Sequence, residues 1–275
     1  MSRALMALLL LATAGMAQAQ FRLDVNRLLD SAKNVAKATK EISEPEEIAI
    51  GRELAATLLG AAPLVNDARM QRYVNNVGRW LAAQTERPGL PWQFGVLDAP
   101  QINAFAVPGG TIFITRGLLE KMNSEAELAG VLGHEIVHVV KKHHLAAIQK
   151  SAKTALAGDA MSMALKDRGG VARDKLISLG TEMYARGLDK GDELEADRVG
   201  VVIAARAGYD AYGLPSVLQT LQAMNPQDSG LALMFKTHPA PAERLDALGL
   251  RMQPTLDAWA GQPQLAERFR ASIKR

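Results

Sequence analysis

Apolar positions recur at helical spacing through most of the chain, and only the segment around residues 92–115 changes to the period of a strand. Over residues 21–44, Leu23, Val25, Leu28, Leu29, Ala32, Val35 and Ala36 lie close to helical period and predict an amphipathic helix. Its apolar face lacks large aromatics, so it suits covering a domain better than lying on a membrane surface. Glu44-Pro45-Glu46-Glu47 opens a second helix, running to about Gly60, with proline in the first turn and acids at the positive end of the dipole. Asn66 or Asp67 can cap a third, which turns Met70, Tyr73, Val74, Val77, Leu81 and Ala82 inward. Arg87-Pro88-Gly89 ends that region.

Trp92 to Leu97 then reads as a strand, and Asn103–Val107 with Thr111–Thr115 as a hairpin across Pro108-Gly109-Gly110. Pro108 places the first hairpin strand at or near a sheet edge. Ser124-Glu-Ala-Glu127 is a capping box for a helix reaching about Ala147. Helical patterns follow near 192–204 and over Leu214–Met224, separated by the turn Gly208–Gly213. Residues 151–191 are the least periodic, Ala- and Met-rich and broken at Gly158, Gly169, Gly170 and Gly187. Helices with a lid fit that composition, and Met161 and Met163 read as core more readily than as a peptide site. After Leu248 no repeated helix pairs appear. The whole pattern predicts an α+β, predominantly α-helical fold with a small sheet.

Composition narrows the compartment. Arg3, the apolar run Ala4–Ala14 and Ala17-Gln18-Ala19 have the form of a secretory leader, cleaved between Ala19 and Gln20, and predict a periplasmic protein. No later stretch reaches the roughly 20 apolar residues of a membrane span. The chain has 0 cysteines, which excludes a disulfide framework and a lipidated cysteine. A formal charge of +3, reduced by one when Arg3 is removed, argues against a nucleic-acid partner. Roughly 255 residues remain, enough for one large domain.

The chemistry centres on Gly-His-Glu-Ile-Val-His-Val at 133–139. In a helix, His134 and His138 lie one turn apart with both imidazoles on one face, a two-point clamp for a metal. Glu135 is turned by about 100°, away from the clamp but within reach of a water at the same ion, where it can act as a base. Zinc suits two imidazoles and a carboxylate with one position left open. The third ligand must come from Asp-Glu-Leu-Glu-Ala-Asp-Arg-Val-Gly at 192–200. There Glu193, Ala196, Asp197, Gly200 and Ala204 share one small-residue face, while Glu195 points away beside Arg198 and Val202. Glu193 is thus the expected ligand, and Asp197 can accept the other N–H of a ligating histidine. Taken alone the stretch also reads as a solvated acidic helix start. His143 and His144, about 180° and 280° from His134 on a continuous helix, are expected on the surface, facing away from the metal.

These residues carry a resemblance. His134-Glu135-Ile136-Val137-His138 followed by Glu193-Leu194-Glu195-Ala196-Asp197 resembles the M48 metallopeptidases, the Ste24-like group, as do Asn103 to Leu119 and Thr237 to Leu245. The resemblance implies a zincin-like fold with the small sheet beside the His134 helix, one Zn2+ per chain, and a substrate cleft bordered by Asn103, Ala104, Phe105 and Ala106. It places His238 and Arg244 by the active site, stabilising the oxyanion or, in a latent form, filling the metal's open position. With the leader (1–19) and N-terminal helix (20–44) read from the residues, the expected organisation continues with a peptidase domain (45–250) and a helical tail (251–275). The activity implied is zinc-dependent endoproteolysis of misfolded or stalled periplasmic and outer-membrane proteins, with the outer-membrane assembly machinery as a candidate partner. The rival is a latent zinc-containing chaperone that binds unfolded clients with little proteolysis.

Overall fold

A computed structural model describes residues 42–159, 186–225, 228 and 230–273, without the side chains of 153–159. The leader, most of the helix expected over 21–44, and Met161 and Met163 lie outside the described residues. The described residues 42–152 and those from 186 onward belong to one compact unit, and everything below concerns it, apart from the end of one helix.

Helix α1 (Glu44–Ala61) starts at Ser43, whose N–H donates to the Glu46 carboxylate at 2.9 Å. Helix α2 (Ala68–Ala82) is capped by Asp67, which accepts from the N–H groups of Arg69 and Met70. Met70, Val74, Val77, Leu81 and Ala82 are buried as the periodicity requires. Strands β1 (Gln93–Leu97), β2 (Ala104–Val107) and β3 (Thr111–Thr115) form a sheet of order β1-β3-β2. β2 and β3 are the expected antiparallel hairpin; β1 joins β3 in parallel. The sheet is covered on both faces. Phe94, Val96, Ile112 and Ile114 enter the main core, and Leu97, Val107 and Phe113 pack under α1. Burial of both faces explains why Thr-Ile-Phe-Ile-Thr reads as a nearly unbroken apolar run.

The two sheet edges differ. On β1, the Gln71 amide of α2 accepts from Val96 N–H (2.8 Å) and donates to Val96 C=O (2.9 Å), and Asn75 accepts from Phe94 N–H. Side chains thus occupy hydrogen-bonding groups that another strand would use. β2 forms the other edge.

After the short helix α3 (Arg116–Leu119), helix α4 (Glu125–Val140) runs through the core with every residue buried. Its cap is Ser124, which accepts from Glu127 N–H. The helix expected to reach Ala147 instead breaks: Lys142 takes φ 59°, and α5 (His143–Asp159) starts afresh. α6 (Lys190–Arg206) crosses α4 where Gly133 meets Gly200; a Cβ on either would lie 2.7 Å from the other helix's backbone. Helices α7 (Gly213–Gln222), α8 (Ala232–Thr237), α9 (Pro241–Ala258) and α10 (Ala266–Ile273) complete the described residues. α9 runs unbroken across residue 250, and α10 puts Phe269 into the main core against Tyr73. The fold is the expected α+β, mostly helical with a three-stranded sheet.

Candidate metal centre

α4 and α6 bring the expected residues together. His138 Nε2 is 3.1 Å from His134 Nε2, and the two carboxylate oxygens of Glu193 lie 3.6 Å from these nitrogens, one from each. Ligand atoms of all three residues fall within 4.8 Å of one another, and all three residues are buried. The Gly133–Gly200 contact permits this, because it lets α6 pass near enough for a glutamate to reach the histidines.

Burial sets the protonation states. It lowers His134, and lowers His138 well below the ordinary imidazole value, helped by neighbouring imidazoles, so both are neutral as metal ligation requires. Burial pushes the Glu193 and Glu135 carboxyls up to about 8, only partly opposed by the Arg244 charge. Glu193 Oε2 is buried and accepts no hydrogen bond. Two neutral imidazoles and an unsatisfied carboxylate oxygen converging on one point fit a divalent cation with N and O ligands.

Asp197, one turn after Glu193, stands 2.8 Å from His134 Nδ1 and takes Arg244 Nε at 2.9 Å and Nη2 at 2.5 Å. Burial opposes its charge, yet Arg244 and the hydrogen bonds from Arg244 and His134 hold its carboxyl well below the usual range. Arg244 is ion-paired to Asp197, has Nη2 3.2 Å from His134 Nδ1, and lines a second cavity together with His134, Glu135 and His238. His238, immediately after α8, has Nε2 3.7 Å from Glu193 Oε2 and Nδ1 2.9 Å from Thr237 Oγ1. His238 also forms, with His134 and Glu135, a second group whose ligand atoms lie within 4.8 Å of one another.

Alternate residues of β2 turn their backbone groups away from β3. Thr115 N–H donates to Asn103 C=O, so Ala104 and Ala106 are the outward pair, and Ala106 N–H donates to the Glu135 carboxylate. The acid beside the histidines therefore sits against the outer edge of the sheet, where it occupies Ala106 N–H. Asn103, Ala104, Phe105 and Ala106 line a cavity of about 20 Å³ with Glu135, His138, Glu193 and His238, to which Gly187 and Leu188 also contribute. That volume holds about one water.

The two histidines expected on the surface are not there. His143 is buried, with Nδ1 3.0 Å from His138 Nδ1, and His144 is half-buried with its ring centre 5.2 Å from that of His138. The expectation assumed one continuous helix; the left-handed Lys142 resets the phase and folds α5 back over the clamp. Glu195, expected to point away, faces His143 Nε2 at 3.4 Å. No local pattern announces a lysine at positive φ, so spacing could not have found these partners.

Residues 68–251 match the model of Peptidase family M48. The chain is 31% identical over 235 residues to the "Beta-barrel assembly-enhancing protease" of Yersinia pestis, covering 83% of this chain and 48% of that protein. It is 29% identical over 182 residues to "Mitochondrial metalloendopeptidase OMA1" of Arabidopsis thaliana, covering 66% of this chain and 36% of that one. It is 29% identical over 168 residues to "Metalloprotease LoiP" of Escherichia coli, covering 60% and 64%. The chain spans about half the length of the Yersinia protein that it resembles over most of its own.

Proposed function

The chain belongs to peptidase family M48, and on that premise we propose that it is a zinc-dependent endopeptidase of the bacterial envelope. The observation that carries this reading is the buried convergence of His134, His138 and Glu193, with Glu135 beside it and bonded to the outer edge of β2. His134, His138 and Glu193 would hold the ion. Zinc bound there would supply a Lewis acid for a scissile carbonyl and lower the pKa of a water toward 7.

This chain's own residues do the rest. A peptide adding to β2 would have its backbone held in register by Ala104, with Asn103 and Phe105 beside it, while Ala106 N–H holds Glu135. Glu135 takes the proton of the attacking water and returns it to the leaving amine. His238, in the same cavity as Glu135, can donate to the developing oxyanion. Arg244 acts through Asp197, which fixes the ring of His134.

Misfolded or stalled periplasmic and outer-membrane proteins are the substrates we propose. Support comes from the leader-like start of the chain and from the relatives whose names speak of β-barrel assembly. Among the described residues no helix is long and apolar enough to cross a membrane. A second reading, a latent zinc-containing chaperone, is favoured by one observation: the cavity that Glu135 and Glu193 share with His238 holds about one water.

The deciding experiment takes the chain from Gln20, determines bound zinc, and follows casein cleavage beside Glu135→Gln and His238→Ala. Cleavage lost only in Glu135→Gln, with zinc retained, supports the peptidase. Cleavage that rises in His238→Ala marks a latent enzyme. Zinc without cleavage in both wild type and His238→Ala turns the reading to client binding, and absence of zinc overturns the ligand set.

A further inference from the structure

We propose that His143 is a positioning residue for the metal site: it holds His138 in the tautomer and orientation that present Nε2 to the ion, and Glu195 in turn fixes His143. This inference rests on the zinc reading above. His138 Nε2 faces the other two ligands, 3.1 Å from His134 Nε2 and 3.6 Å from Glu193 Oε1. A neutral imidazole whose Nε2 lone pair points at a cation carries its proton on Nδ1, and a buried N–H needs an acceptor. The acceptor is His143 Nδ1, 3.0 Å away. Accepting there obliges His143 to keep its own proton on Nε2, which faces Glu195 Oε2 at 3.4 Å and Asp192 Oδ1 at 4.0 Å.

Each proton position thus dictates the next, from the site outward to two partly exposed carboxylates. The arrangement answers, for His138, what Asp197 and Arg244 do for His134. The sequence feature responsible is the turn at Lys142, whose φ of 59° ends α4 and brings His143 back over the ligand it would otherwise face away from. Rings of His138 and His143 stand 5.2 Å apart at 71°, so the contact is an edge-on hydrogen bond rather than a stack. Such outer partners typically change metal affinity by about 10- to 100-fold when removed.

The test uses the full chain from Gln20 with zinc, a competing chelator and Co2+ as a spectroscopic probe. His143→Leu removes the acceptor, whereas His143→Asn keeps an oxygen near the place of Nδ1. Zinc affinity is expected to fall about 10- to 100-fold in His143→Leu, with a shifted Co2+ absorption spectrum, and to return close to wild type in His143→Asn. Glu195→Ala is expected to lose affinity by about ten-fold. In zinc-loaded wild type, 15N NMR should show His138 protonated on Nδ1, a readout that does not depend on any variant folding. His138 protonated on Nε2, or His143→Leu with wild-type affinity and spectrum, would overturn the proposal, and unchanged affinity in Glu195→Ala would strike Glu195 from it. If wild type binds no zinc, the ligand set itself has failed, an outcome distinct from failure of His143 alone.

Discussion

Asp197 Oδ1 lies 2.8 Å from His134 Nδ1, and Arg244 binds the same carboxylate through two nitrogens. All three side chains are buried, so the charge of Asp197 depends on Arg244. Replacing Arg244 by Met should cost about 3–5 kcal/mol in denaturant unfolding, because it strands a buried carboxylate. Arg244→Met combined with Asp197→Asn should recover much of that loss while keeping zinc affinity below wild type, since Asn is the weaker acceptor for His134. Equal stability of the single and double variants would show that the pair is not the source of the cost.

Glu135→Gln should retain zinc and lose casein cleavage by about 10²-fold or more, the range for losing a general base. Metal determination on the same sample separates this from loss of the site. Cleavage within a few-fold of wild type would remove Glu135 from the mechanism.

Metal removal should invert the pH dependence of stability. Glu135 and Glu193 have folded pKa values raised to about 8, above the ordinary glutamate value near 4.3, so between these the folded chain binds more protons than the unfolded. Their contribution is fully present below pH about 4.3 and is lost as pH rises through about 8. Chelator-treated protein should therefore lose stability from pH 7 to pH 8, above the range in which the buried histidines with lowered pKa, His134 and His138 among them, pull the other way. Zinc, which requires Glu193 ionised, should stabilise most at the upper end. Urea melts at the two pH values, with and without zinc, check both signs.

Gly200→Ala tests the crossing of α4 and α6, because the new Cβ would meet the backbone of His134 at 2.7 Å. Overpacking of this kind costs about 1–3 kcal/mol. Separating the helices also withdraws Glu193 from the histidines, so zinc affinity should fall together with the melting temperature. Gly249→Ala, where a Cβ meets nothing within 4 Å, serves as the control.

The buried Glu125, at the start of α4, accepts from Tyr73 Oη at 2.7 Å and Tyr209 Oη at 2.8 Å and pairs with Arg268 of α10. Tyr209→Phe should cost about 1 kcal/mol in urea unfolding with cleavage unchanged, since the clasp lies at the end of α4 away from the clamp. A selective loss of cleavage would mean that the clasp also sets the site.

Within single helices and the hairpin, the sequence alone determined nearly everything described. Spacing of four puts His134 and His138 on one face, the same rule puts Glu193 and Asp197 on one face, and Pro-Gly-Gly joins two β-prone runs. These are local consequences of backbone geometry, so a periodic pattern contains them. Tertiary structure decided the rest. The parallel pairing of β1 and the occupation of its outer edge by Gln71 and Asn75 depend on where α2 packs. That Arg244 meets both Asp197 and a cavity beside Glu135 depends on how α9 lies against α6. The surroundings of His138 depend on a single dihedral: with Lys142 helical, His143 would face away, and at φ 59° it meets His138. Periodicity carries phase only along an unbroken helix; once the backbone turns, contacts made by the whole fold choose which side chains meet.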